Sequence, residues 1–297
     1  MASDRSFTTP ASHFRSLHKS GDPLILNNVW DIPSLNAVLS LNRTETDTIP
    51  RPVRAIATAS YAIAECQGFR DEELSYEQNL AAIARLAPVV RAAGLPLSVD
   101  LQDGYGSRLE EAIKEVIKLG VVGVNIEDVK GDTQKLYSLE ENVSRLKRAI
   151  ATAEQAGCPD FVVNARCDVF LAWPNDDSAR LIQETITRGK AYLAAGATTV
   201  FVWGGSKRGL RTVEVEELSK AFEGRLAVKL GWADDALTIG ELSKIGVARI
   251  SVGPSLYLLS TVAIREAAKT MFTKGKLRPD DGMKFEDMMA ALGSMRG

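Results

Sequence analysis

Short apolar runs alternate with helix-period stretches from one end of this chain to the other, and that alternation restricts the fold more than any other feature. The runs lie near 24–28 (LILNN), 54–58 (RAIAT), 97–101 (LSVDL), 122–126 (VGVNI), 161–165 (FVVNA), 198–202 (TTVFV), 226–230 (LAVKL) and 247–252 (VARISV). Helical stretches separate them near 33–40, 76–93, 107–119, 139–156, 178–195, 213–221 and 234–244. The runs are strand-length and nearly continuous in apolar character, as strands buried on both faces require. Repeated strand–helix units of this kind predict an α/β fold, a closed (β/α)8 TIM-type barrel with extra C-terminal helices. The 297 residues suffice for one large core and read as a single barrel domain. The barrel would occupy about 14–265 and the helical extension about 256–297.

Glycines at 94, 120, 157 and 196 sit where helices should stop before the next strand. Ser138 with Glu141 fits a capping box. Residues 41–53 are polar, carry two prolines and read as a surface insertion. The tail from 256 contains Met271, Phe272, Met283, Phe285, Met288 and Met289, and would pack either on its own barrel or on a neighbouring subunit.

Composition narrows the function. Net charge is −2 with no long basic run, so neither nucleic acid nor an anionic membrane is an expected partner. No apolar run approaches the roughly 20 residues of a membrane span, and Met1–Pro10 lacks the apolar core of a secretory signal. The three cysteines, Cys66, Cys158 and Cys167, form no C-x-x-C pair, which suits a reducing, cytoplasmic setting. His13 and His18 are the sole histidines and read as exposed helix-face residues. A Ser-His-Asp site or a His-rich metal site is therefore not expected, and proton transfer falls to carboxylates, Lys, Tyr, Cys or a metal-bound water.

Several strands end on charge: Asp100 after Val99, Glu127 and Asp128 after Ile126, Arg166 and Asp168 after Ala165. In a parallel barrel the residues just past the strand ends surround one pocket. Asp100 and Glu127 come from adjacent strands, and converging carboxylates with hard oxygen ligands favour Mg2+ or Mn2+. Arg166 offers a fork of donors to a substrate carboxylate or a developing enolate oxygen. Trp30 and Trp203 read as pocket walls. Asp103, Asp128 and Asp168 read as helix caps or loop braces. Lys207 and Arg208 read as a solvated loop, with anion binding as the alternative. Gly253-Pro-Ser255 offers a turn that could receive phosphate on its N–H groups.

The segments Leu26-Asn-Asn-Val-Trp-Asp31, Ala55-Ile-Ala-Thr-Ala-Ser60, Gly68-Phe-Arg-Asp71, Val99-Asp100 with Gly104-Tyr-Gly106, Val124-Asn-Ile-Glu-Asp128, Asn164-Ala-Arg-Cys-Asp168 and Val247-Ala-Arg-Ile-Ser-Val-Gly253 resemble the isocitrate lyase/phosphoenolpyruvate mutase superfamily. The resemblance covers roughly 14–265 and is nearest to the branch often labelled phosphonomutase-like. It implies a Mg2+-dependent barrel acting on 2-oxo acids through an enolate. It also implies Asp100 as direct metal ligand, and Gln102 and Glu127 as holders of metal-bound waters. Arg166, Trp30, Trp203 and the backbone of Ser60 and Tyr61 would bind substrate, with Asp71 on a loop near the site. Arg166, Glu127 and Asp71 would carry the chemistry. Members are often tetramers that swap C-terminal helices, so a homodimer or homotetramer is the expected assembly.

Departures from the pattern refine this. The loop Val129–Tyr137 lacks the Cys and His of the isocitrate lyase branch and the Lys-Thr-Asn-Ser of the mutases. Gln102 stands for an acidic residue, which removes one negative charge from the metal site. Cys167 replaces a common Thr and reads as a packed neutral thiol. The expected activity is Mg2+-dependent C–C cleavage of a small 2-oxo dicarboxylate of the oxaloacetate type, with Lys130, Lys135 or Tyr137 supplying a proton after loop closure. The alternatives are C–P chemistry on a phosphonopyruvate-like substrate and a degenerate barrel that binds a 2-oxo acid without turnover.

Overall fold

The computed structural model describes residues 8–42, 51–131, 133, 135–205, 209–277 and 284–296. Eight parallel strands close into a barrel in sequence order. They are β1 (Leu24–Val29), β2 (Ile56–Thr58), β3 (Leu97–Asp100), β4 (Gly123–Glu127), β5 (Val162–Cys167), β6 (Thr199–Val202), β7 (Leu226–Lys229) and β8 (Arg249–Ser251). Each matches a predicted run, so the barrel expected from the alternation is the fold observed. The shared register sets the layers of the interior: Asp100 pairs with Asn125, Asn125 with Asn164, and Asn164 with Thr199.

Local chemistry accounts for the helix ends. Gly94, Gly120, Gly157 and Gly196 all adopt φ between 70° and 106°, the left-handed region that a helix stop needs and that glycine enters without cost. Ser138 Oγ accepts the Glu141 N–H at 3.1 Å, the forward half of the expected box. The helix expected at 234–244 is confined to Ile239–Ile245, because Thr238 caps it and exchanges hydrogen bonds with Glu241. Asn42 clasps Val53 through two hydrogen bonds and closes the base of the 41–53 insertion, whose residues 43–50 lie outside the described set.

A helix at Thr8–Ser16, given no bounds in the sequence reading, covers the N-terminal end of the barrel. Its Phe14 is fully buried, and a Cβ added at Gly123 would come within 2.7 Å of the Phe14 ring. Gly123 therefore opens β4 because the ring occupies the space of a side chain. His13 is exposed as expected, but His18 is not. The His18 Nδ1 lies 2.9 Å from the Phe14 carbonyl, which can only accept, so Nδ1 carries the proton. Its Nε2 then faces Arg249 Nη1 at 3.4 Å as acceptor. Burial, with the Arg249 charge second, pushes the ring down to about 3.

This gives a testable pH dependence. Between about pH 6.5 and 3 the unfolded ring binds a proton that the folded ring refuses, so stability falls as pH falls, by at most about 1.4 kcal/mol per pH unit. Thermal melts from pH 7 to 4.5 should show wild type losing more stability than His18→Gln. Parallel curves for the two proteins would show that His18 is not the group responsible.

The apolar tail forms two helices, Ser255–Lys274 and Phe285–Arg296. The second runs beside the helix Ile32–Ser40 of the same chain. On the first, Ser255 alone is buried, while Leu259, Val262, Ile264 and Phe272 are exposed. Met283 lies outside the described residues. No helix of the described residues is long and apolar enough to cross a membrane.

Candidate active site

Inward-facing positions near the C-terminal ends of the strands line a cavity of about 140 Å³. Asp100, Arg166, Ser60, Tyr61, Asp71 and Trp203 all reach it; Glu127 and Gln102, which the sequence reading also placed there, do not line it. The volume is below the roughly 300–1,000 Å³ of pockets for drug-sized ligands, so it suits a small acid.

Asp100 ends β3 and is held from several sides. One carboxylate oxygen receives the Ser60 hydroxyl at 3.2 Å and the Ser60 N–H at 3.4 Å. The other receives the Gln102 N–H and the Asn125 amide, both at 3.3 Å. Ser60 opens the short helix after β2, which is why its N–H is unclaimed by helix bonding and available to a carboxylate. The Ser60 backbone expected to cradle substrate is thus turned toward Asp100. Asn125 in turn accepts from Asn164 at 2.9 Å, and Asn164 from Thr199 at 2.6 Å. This ladder of register partners fixes the orientation of Asp100 from strands as distant as β6. The sequence reading missed it, although an Asn inside VGVNI and FVVNA is a polar residue in a buried strand and needs a partner.

Arg166 is locked rather than free. Its Nη1 meets Glu127 at 2.5 Å and its Nε meets Asp168 at 2.8 Å. Burial lowers its pKa, but the charges of Asp168, Glu127 and Asp100 outweigh that and hold it above its ordinary value. Nη2 is the nitrogen that neither ion pair uses. Glu127 is raised well above the usual carboxylate range by burial, against the pull of Arg166. Asp168 is pushed up to about 6, by burial first, and one of its buried oxygens has no hydrogen-bond partner. Asp168 is therefore neither a side-chain helix cap nor a simple loop brace; it orients Arg166. Asp128 and Asp103 do brace. Asp128 accepts from the Asp168 N–H and from the Tyr192 hydroxyl at 2.6 Å. Asp103 accepts from Tyr137 at 2.9 Å and Gly131 at 3.3 Å, and so anchors the loop after β4.

Gln102, at φ 51°, donates its amide to the Asp71 carbonyl at 2.6 Å and to the Asp71 carboxylate at 3.2 Å. A carbonyl only accepts, so the NH2 end is committed there and the amide oxygen is the acceptor that remains. Asp71 is raised by burial and then by the Asp100 charge. Among the described residues neither Asp71 nor Asp100 forms an ion pair within 4.0 Å. Two such carboxylates on one wall fit a divalent cation. Among the described residues no group of three His, Cys, Asp or Glu is placed to hold a metal. Asp100 and Asp71 are the cavity carboxylates that could hold one.

Two expectations are corrected. Trp30 does not line this cavity: it stacks edge-on against Tyr257 at 5.5 Å and packs with Ile63 and Leu74, because the chain turns outward at the Asp31 cap. Gly253-Pro-Ser255 cannot receive an anion as supposed: the Gly253 N–H goes to Asn28 at 3.0 Å, Pro254 has none, and the Ser255 N–H goes to Val252. Lys130, Lys135 and Tyr137 are absent from the cavity wall. Lys130 pairs with Glu141 at 3.4 Å, Lys135 is exposed, and Tyr137 donates to Asp103. Lys207 and Arg208 lie outside the described residues. Cys167 is buried with its thiol held well above the ordinary range by burial, as a packed neutral thiol should be.

A family model, phosphoenolpyruvate phosphomutase, matches residues 14–272. The chain belongs to this family. The phosphoenolpyruvate phosphomutase assignment agrees with the barrel, with the charged strand ends and with the superfamily resemblance of the sequence. Relatives of this family member include the uncharacterised protein Rv1998c of Mycobacterium tuberculosis, 30% identical over 87% of this chain and 88% of the relative. A candidate phosphonomutase from Burkholderia cenocepacia J2315 has a solved structure with TM-score 0.76 and 35% identity, covering 89% of this chain and 99% of that one. The oxaloacetate decarboxylase of Bradyrhizobium diazoefficiens is 29% identical over 61% of this chain and 60% of its own.

Proposed function

We propose that this family member is a Mg2+-dependent lyase or hydrolase that cleaves a C–C bond of a small 2-oxo dicarboxylate of the oxaloacetate type, through an enolate. The observation that carries the reading is the polarity of the cavity. Among the described residues Asp71 and Asp100 stand on one wall with no ion pair, and Arg166 stands beside them, held rigid by Glu127 and Asp168. Mg2+ bound at Asp100 would polarise the 2-oxo acid as a Lewis acid. Glu127 and the Gln102 amide oxygen would hold waters of its shell. Arg166 Nη2 would meet the enolate oxygen, and its two ion pairs remove the cost of orienting it at the moment of reaction. Asp71, whose carboxyl is raised by burial and then by the Asp100 charge, would carry the proton. Trp203, whose ring centroid is 5.2 Å from the Arg166 guanidinium, would help exclude water.

The exposed apolar face of Ser255–Lys274 supports a homo-oligomer in solution, which sedimentation would test. The similarity to the Burkholderia candidate phosphonomutase favours C–P chemistry as a second reading. Product analysis separates the two. With Mg2+ present, oxaloacetate should yield either pyruvate and CO2 or, with water consumed, acetate and oxalate, and phosphonopyruvate should release no phosphate. Phosphate release alone would replace the first reading with the second. Tight 2-oxo acid binding with no turnover across such a panel would mark a degenerate barrel.

A further inference from the structure

Lys229 is a charged group of the cavity that the proposed chemistry leaves unused. It ends β7, which in the closed strand order lies opposite β3 and Asp100. Its stem lies against Gly253, where an added Cβ would come within 3.2 Å of the Lys229 Cε. Gly253 has φ 53° and its N–H is tied to Asn28, so this contact holds the lysine stem against fixed backbone. Among the described residues the ammonium has no hydrogen bond or ion pair, and burial alone lowers its pKa, with no carboxylate raising it. Arg249, on the neighbouring strand, also lines the cavity, but its guanidinium crosses to Ser98 on β3 at 3.3 Å and to His18 at 3.4 Å, and it feels the Asp100 charge. The cavity thus has an acidic wall at β2–β3 and a basic wall at the end of β7. A half-buried cation with no counter-charge is costly, and the cost is offset when an anion arrives.

We propose that Lys229 is a specificity-determining residue that binds a distal carboxylate of the substrate, at the end opposite the 2-oxo group held near Asp100. This rests on the 2-oxo acid reading above. It selects substrates with a second anionic group over monocarboxylic 2-oxo acids. The distal carboxylate would place the scissile bond between the two walls.

The test compares oxaloacetate as substrate with pyruvate, a 2-oxo acid lacking the distal group, as competitive inhibitor, both with Mg2+. Lys229→Met and Lys229→Gln should raise KM for oxaloacetate by about 10- to 100-fold, the range expected for a charged hydrogen bond. The pyruvate inhibition constant should change less than about threefold, and Lys229→Arg should restore most of the oxaloacetate affinity. Equal loss for both compounds, or no loss for either, overturns the assignment in any variant that melts like wild type. Absence of oxaloacetate turnover and of pyruvate binding in wild type itself would instead sink the 2-oxo acid reading, and this assignment with it.

Discussion

Asp100→Ala should abolish calorimetric uptake of Mg2+ and Mn2+ and lower kcat/KM on oxaloacetate by about 1,000-fold, equivalent to about 4 kcal/mol of transition-state stabilisation. The reason lies in the donor set. Among the described residues Asp100 is the carboxylate that four donors aim into the cavity, while Glu127 is committed to Arg166 and Gln102 to Asp71. Loss of Asp100 leaves Asp71 alone on that wall, its carboxylate already accepting from the Gln102 amide. The side chain is half-buried, so water can reach the abandoned donors, and the melting temperature should change little. A variant that keeps wild-type metal heats and wild-type turnover would remove the metal from this wall.

Arg166→Met should have the largest effect on stability, about 3–5 kcal/mol, because it strands Glu127 and Asp168 as buried carboxylates without a cation. Both groups are already pushed upward by burial, and removal of the guanidinium pushes them further. The sign of the pH effect follows. In the variant the folded carboxyls hold protons that the unfolded chain has released near pH 4, so stability falls as pH rises through the folded pKa values. Urea unfolding should therefore show a larger deficit against wild type at pH 8 than at pH 5. Adding Glu127→Gln to Arg166→Met should recover part of the loss, since an amide needs no counter-charge. A deficit independent of pH would mean that packing, not charge, is what Arg166 supplies.

Much of this architecture is readable from local pattern. A strand buried on both faces must be apolar, so its length and its end are visible, and Asp100, Glu127 and Arg166 stand out where apolar runs stop. The helix stops were equally plain, because the left-handed backbone at Gly94 and Gly157 selects glycine. Other features had no local signature. The helix Thr8–Ser16 is polar on most of its surface and declares itself through Phe14, whose slot is a missing side chain at Gly123. Lys229 reads as an ordinary polar strand end until β7 is set across the barrel from β3. Trp30 was assigned to the pocket because it follows a strand, yet the Asp31 cap carries it toward Tyr257.

The amino-acid order by itself determined the strand–helix alternation, the barrel and the set of charged groups delivered to one rim, because periodicity and turn chemistry act over a few residues. Tertiary structure alone decided how those groups pair. Arg166 reaches Glu127 across 39 positions of chain and Ser60 reaches Asp100 across 40. Barrel closure and strand register bring such residues into one layer, and neither is encoded in any short stretch of sequence.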